Sequence, residues 1–267
     1  MALIFLFLYA PILLLVVFSF NDANSNVVWQ GFSLRWYEEL FRDRQVMGAV
    51  YNTLLVSVLA TAISTVVGTF TAAVGLYGMR RRWRDPILTV NNIPLTNADI
   101  ITGVSMMLLF VAAATILGTS NTFGFGTLLI AHVTFDLPYV ILSVMPRFKT
   151  LDSSLSEAAQ DLGATPMQGF FKVILPDIMP GVFSGFVMAL TMSIDDFVVS
   201  FFTTGSGVSN LSITIYTMAK RGISPKINAL STIIFACVFV LLIGLNLRDF
   251  RKDGRGQKKL DGVKIPY

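Results

Sequence analysis

The sequence holds one cysteine and one histidine, and Asp, Glu, Lys and Arg together make only 13% of its 267 residues. A lone Cys237 forms no internal disulfide and no thiolate cluster, and His132 without Cys partners makes a poor zinc site, so the expectation is no metal and no cofactor in this chain. No Walker sequence, glycine-rich phosphate loop or paired catalytic acid–base set appears, so the chain reads as no enzyme and any energy source lies on another polypeptide. The first apolar run, 3–20, has no basic lead and no small-x-small cleavage site after it, and reads as an uncleaved span rather than a signal peptide.

What is present is apolar. Hydrophobic residues make 54% of the chain, with 22 Phe and 11 Met, and the mean hydropathy is +0.69. Membrane is the class this composition selects. Runs long enough for a hydrocarbon core of about 30 Å, roughly 20 helical residues, occur at 3–20, 46–78, 86–117, 125–146, 177–203 and 228–247. The expected fold is therefore all-α and polytopic, with six spans in a transmembrane domain of residues 1–247 and a basic tail, 248–267. The third span is expected to bend at Pro94. Lys and Arg between spans divide fourteen to six, and the richer side carries Arg80–Arg84, Arg147, Lys149, Lys172 and the tail. That side is cytoplasmic by the positive-inside rule, and the tail's charge fits membrane lipid better than nucleic acid. In the opposite loop, 21–45, the stretch Leu34–Phe41 reads as an interfacial helix with Trp29, Trp36 and Tyr37 at headgroup level.

A short polar island lies within the cytoplasmic segment 147–176. Ser154 with Glu157 three residues on makes a capping box, and Gly163 suits a left-handed helix end. Thr165 caps the next helix, Pro166 fits its first turn, and the chain is expected to leave helical geometry near Leu175 because Pro176 follows. The product is a helix-turn-helix elbow at the mouth of a bundle. The spacing of Glu157, Ala158, Ala159, Gly163, Leu175 and Pro176 resembles the EAA loop of permease subunits of bacterial ABC importers. Ala189–Ser200, Gly222–Leu230, Tyr9-Ala10-Pro11 and Ser19-Phe20-Asn21 are similar to the corresponding parts of spermidine/putrescine permeases of the C or I subunit type.

The resemblance implies the architecture of a type I ABC importer permease in a bacterial plasma membrane. It also implies a homologous second permease subunit, a cytoplasmic ATPase dimer carrying ATP and Mg, and an extracytoplasmic polyamine-binding protein. Ser154, Glu157, Ala158, Ala159, Gly163, Leu175 and Pro176 would couple this chain to the ATPase.

Asp177 stands at the edge of its span, and four further aspartates fall inside the spans: Asp99, Asp136, Asp195 and Asp196. Each ionised carboxylate near mid-membrane costs about 2.5–3.5 kcal/mol on insertion scales, and no Lys or Arg lies within 86–146 or 173–219 to neutralise them. A cationic cargo would supply the missing charge. A polyamine needs separated carboxylates and aromatic walls, which makes Asp99, Asp136, Tyr139, Asp195, Asp196 and Phe197 the candidate path. Asp195 and Asp196 point about 100° apart on a helix, so one of them faces the path while the other caps, pairs or stays protonated. Asp136 departs from the resembling family, which tends to carry Cys there. The rival readings are a permease for another solute (iron, thiamine or opine-like), an intramembrane aspartyl protease with carboxylates converging from two helices, and a channel or receptor without an ATPase.

Overall fold

The computed structural model describes residues 2–25, 28–73, 79–119, 122–152, 154–205, 207–222, 225–237 and 239. Among the described residues twelve α-helices follow one another: α1 (Ala2–Phe18), α2 (Arg35–Arg42), α3 (Arg44–Phe70), α4 (Arg81–Thr96), α5 (Asp99–Leu117), α6 (Phe125–Thr150), α7 (Ser154–Asp161), α8 (Pro166–Gly169), α9 (Leu175–Asp195), α10 (Val198–Thr203), α11 (Leu211–Arg221) and α12 (Pro225–Cys237). Among the described residues the only strand-like pairing is one isolated bridge between Asn21 and Phe32.

Among the described residues four helical segments are long and apolar enough to cross a membrane: Arg44–Ala73, Asp99–Leu117, Phe125–Thr150 and Pro166–Asp195. Two shorter apolar helices, Ile4–Phe18 and Pro225–Cys237, stand where the first and sixth spans were expected. The remainder of the last run, 240–247, and the tail 248–267 lie outside the described residues. Large apolar side chains such as Ile100, Leu108, Leu109, Val58 and Phe183 are exposed along these helices, the outward face of a multi-pass membrane protein that lipid or a partner covers.

The expected span 86–117 is two helices. The helix α4 runs through Pro94 without stopping, and the chain breaks at Asn97 and Ala98, both in extended geometry. Pro94 loses one ladder bond within α4, and the break comes three residues later at Asn97. The expected span 177–203 is also divided, because Asp196 is extended and separates α9 from α10.

The chain forms two compact units, Gly48–Thr214 and a second made of Met1–Met47 with Ile215–Tyr267. In the first, α6 is central: Val140, Ile141, Val144, Met145 and Phe148 are buried with Ile178 and Ala189 of α9. Gly181, Gly185 and Ala189, spaced by four, lie on the buried face of α9, the small-residue seam that lets membrane helices approach closely. A Cβ at Gly185 would sit 3.2 Å from Val140 Cα, and one at Gly68 of α3 would sit 2.8 Å from Val140 Cγ1.

In the second unit the loop after α1 is organised by Asn21. Its Nδ2 donates to the carbonyls of Ser25 and Val28 at 3.0 and 2.7 Å, its Oδ1 accepts from the Gln30 amide at 2.9 Å, and its own carbonyl accepts from Trp36 Nε1 at 2.6 Å. Trp36 is consequently buried at 5% exposure rather than set at headgroup level. The expected interfacial helix is present as α2, but its indole anchors the loop instead of a lipid surface.

Candidate functional site

Two constellations stand apart in the unit Gly48–Thr214. The first gathers carboxylates. Asp99 opens α5 immediately after the break at Asn97–Ala98, and it is exposed. On α6, Tyr139 is half-buried, rests edge-on against Phe135 with ring centroids 5.6 Å apart, and lies within electrostatic reach of both Asp99 and Asp136. Asp136, one turn earlier, is wholly buried, and neither of its oxygens has a hydrogen-bond partner among the described residues. The helix α5 presses on α10 through Gly103, whose absent Cβ would meet Phe202 Cδ2 at 2.9 Å and the Val198 carbonyl at 3.3 Å.

The adjacent pair Asp195 and Asp196 is resolved by the end of α9. Asp195 is its last residue and is exposed. Asp196 leaves helical geometry and folds its carboxylate over the start of α10, where Oδ1 accepts from the Val199 amide at 3.1 Å and Oδ2 from the Ser200 amide at 2.7 Å. These are amides that a new helix start leaves unsatisfied, and a buried break cannot leave them bare. Phe197 is half-buried beside Phe201, with ring centroids 5.5 Å apart. The six expected path residues therefore sit on α5, on α6, at the end of α9 and in the two-residue link that follows it. Two carboxylates are exposed, one caps a helix, and one is buried without a hydrogen-bond partner among the described residues.

His132, which its sequence context makes a poor zinc ligand, joins this region. Its Nδ1 is 2.7 Å from Ser193 Oγ, its Nε2 is 2.9 Å from Ser200 Oγ, and Asp196 Oδ2 stands 3.6 Å away. No local spacing relates His132 to serines 61 and 68 residues later; only the fold does.

The second constellation is the elbow. The helix α7 is described from Ser154, whose amide donates to Asp152 Oδ1 at 3.0 Å. That amide also holds the Asp152 carboxyl below the usual carboxylate range. The side chain of Glu157, and with it the other half of the expected capping box, lies outside what is described. The helix ends as its sequence requires: Gly163 has φ +82, and the Ala164 amide donates to the Ala159 carbonyl at 3.0 Å, closing a left-handed C-terminal motif. Thr165 then caps α8 with a full capping box to Gln168, and Pro166 takes the first position. Ala159 is buried, and a Cβ at Gly169 would lie 3.6 Å from it, while Ala158 is exposed. Leu162 at 90% exposure and Met167 at 65% make the elbow's outer surface apolar, a signal readable only once the turn is built.

Helical geometry continues through Leu175 and Pro176. A π-helical turn over Phe170–Ile174 joins α8 to α9, and the Leu175 amide donates to the Phe170 carbonyl five residues back. Widening the turn makes room for the Pro176 ring and shifts the missing N–H to the start of α9. The second arm of the elbow, α8, and the span are thus one helical segment, Pro166–Asp195, of 30 residues.

With this geometry in place, similarity to known proteins narrows the reading. Residues 64–249 match the family described as binding-protein-dependent transport system inner membrane component. The chain is 41% identical over 237 residues to the putrescine transport system permease protein PotI of Escherichia coli (strain K12), covering 89% of this chain and 84% of that one. It is 38% identical over 261 residues to the spermidine/putrescine transport system permease protein PotC of the same strain, covering 97% and 96%. Among solved structures, a bacterial ABC transporter involved in import of the acidic polysaccharide alginate superposes with TM-score 0.70 at 17% identity, covering 94% of this chain and 92% of that one.

Proposed function

The chain belongs to the inner membrane components of binding-protein-dependent transport systems, and from that premise we propose that it is the permease subunit of an ATP-driven importer of polyamines, spermidine or putrescine. The observation that carries the cargo is a set of carboxylates lacking cations: Asp99 and Asp195 are exposed, Asp136 is buried without a hydrogen bond among the described residues, and neither 86–146 nor 173–219 contains Lys or Arg. An ammonium group passing these carboxylates exchanges water for charge-assisted hydrogen bonds, and the methylene stem between ammonium groups passes against Tyr139 and Phe197. The path wall in this reading is Asp99, Asp195, Tyr139 and Phe197, with Asp136 directly behind it and Asp196 holding the break that presents Asp195. A homologous second permease subunit covers the exposed carboxylate face, and an extracytoplasmic polyamine-binding protein delivers the cargo.

The basic excess supports a cytoplasmic position for the elbow and the tail. There the apolar surface of Leu162, Met167 and Ala158 docks a cytoplasmic ATPase dimer, on which ATP is bound with Mg and hydrolysed. Ser154, Glu157, Ala159 and Gly163 shape that surface, and Leu175 and Pro176 join it to the span. The support for coupling is continuity: a load applied at α8 reaches Asp195 through one helical segment.

Competition for uptake by the complete transporter tests the cargo. Unlabelled putrescine and spermidine should each suppress uptake of labelled putrescine, while ferric iron, thiamine and opines leave it unchanged. No uptake of labelled putrescine, or suppression by one of the latter and by neither unlabelled polyamine, overturns the reading.

A further inference from the structure

A helix broken inside a membrane protein is a hinge unless something locks it. The connection between α9 and α10 is two residues, Asp196 and Phe197, with no helical bond across Asp196. Ser193 Oγ belongs to the last turn of α9 and Ser200 Oγ to the first turn of α10, and both meet the two ring nitrogens of the same His132, at 2.7 and 2.9 Å. All three side chains are buried, Ser200 completely. A neutral imidazole has one donor and one acceptor, and a serine hydroxyl serves as either, so both bonds form in either tautomer. The helix α10 is fixed to α6 a second time where Thr127 Oγ1 donates to the Thr203 carbonyl at 3.0 Å. From the elbow to the break, α8 and α9 extend about 45 Å at 1.5 Å per residue.

We propose that His132 is a positioning residue that locks α6, α9 and α10 into one moving part, so that motion started at the elbow crosses the helix break and reaches α10. It rests on the elbow being the place where the ATPase acts. The imidazole touches no cargo in this role. It decides whether the two sides of the break, with Asp195 on one and Phe201 on the other, move together or separately.

The test is maleimide labelling of single thiols in membrane vesicles carrying the complete transporter, with Cys237→Ser as background. Thr191→Cys reports on α9 and Phe201→Cys on α10; both positions are exposed. With His132 intact, ATP should change the labelling rate at both positions by at least threefold. With His132→Ala the response at position 191 should persist and that at 201 should vanish, while uptake per ATP hydrolysed falls at least tenfold. His132→Asn, which keeps one donor and one acceptor, should restore part of the response at 201, as a purely space-filling role would not predict. Unaltered responses at both positions in His132→Ala overturn the lock. No response at either position with His132 intact overturns the elbow as the ATPase contact, and the lock with it. If His132→Ala does not accumulate in the membrane, Ser200→Ala cuts the same link with a smaller change and is read by the same two outcomes.

Discussion

Lys226 Nζ stands 2.8 Å from Asp43 Oδ2, tying the first turn of α12 to the residue that starts α3. Asp43 has two tasks, because its Oδ1 also accepts from the Gln45 and Val46 amides at 3.0 and 3.3 Å. The Lys226 hydrogen bond, aided by these amides and by the ammonium charge and opposed by partial burial, holds the Asp43 carboxyl below the usual carboxylate range. A depressed folded-state value means that the stabilisation is complete above about pH 4, the unfolded carboxylate value, and is lost as pH falls through the folded value. Asp43→Asn keeps the amide contacts and loses the charge, a cost of about 0.5–1 kcal/mol for a partly exposed pair. Asp43→Ala loses the cap as well, about 1 kcal/mol more. Detergent-solubilised protein followed by thermal unfolding at pH 7 should rank wild type above Asp43→Asn above Asp43→Ala. Equal unfolding temperatures for all three would show the pair to be ornamental.

Asp195 and Asp196 should fail differently. Asp195→Asn removes an exposed carboxylate and leaves α9 intact, so the half-saturation concentration for putrescine uptake should rise about tenfold or more while the amount of inserted protein is unchanged. Asp196→Asn weakens the bonds to the Val199 and Ser200 amides, bonds to a charged acceptor worth about 1.5–3 kcal/mol together with the cost of baring their donors. Its signature is less folded protein, with normal half-saturation in what remains. Immunoblotting of membranes beside uptake kinetics separates the two, and the opposite pattern would move the cargo contact to Asp196.

How far such distinctions could be read beforehand depends on the reach of each signal. Gly163, Thr165 and Pro166 were legible because caps and turns are local chemistry, fixed by residues three or four positions apart. The helix class and the approximate spans were legible because lipid requires a minimum apolar length. Pro176 misled because the rule that a proline ends the preceding helix omits the π-turn that accommodates it. Trp36 misled for a related reason: an aromatic beside a membrane segment suits the interface, but the Asn21 carbonyl offered its indole a buried acceptor. The contacts of Ser193 and Ser200 with His132 depend on a partner from another helix. No window of sequence contains them.

Gly185 should tolerate no side chain. Its absent Cβ would face the backbone of α6, 3.2 Å from Val140 Cα and 3.4 Å from the Val140 carbonyl, and backbone atoms cannot swing aside. Gly185→Val would force α6 and α9 apart where Val140, Val144 and Ile178 are fully buried, an overpacking cost of about 1–3 kcal/mol. Gly126, with nothing near its absent Cβ, is the control. In membranes, Gly185→Val should reduce accumulation several-fold and Gly126→Ala should not. Equal accumulation would mean that the seam along α9 is looser than its geometry indicates.

The elbow offers the sharpest separation of shape from stability. Gly163 has φ +82 with nothing within 4 Å of its absent Cβ, so a side chain there meets backbone strain and no clash. Gly163→Ala should cost about 1 kcal/mol in the turn, little beside the packing of α6 on α9. Gly163→Val, with a branched Cβ, should distort the turn between α7 and α8 and displace the exposed Leu162 from the docking surface. Reconstituted with its ATPase, Gly163→Val should insert normally and bind cargo-loaded binding protein, yet hydrolyse ATP with uptake reduced at least tenfold. Leu162→Glu should give the same loss through a different defect, a charge on an apolar contact, with the turn itself intact. If both variants transport normally, force does not enter this subunit at the elbow.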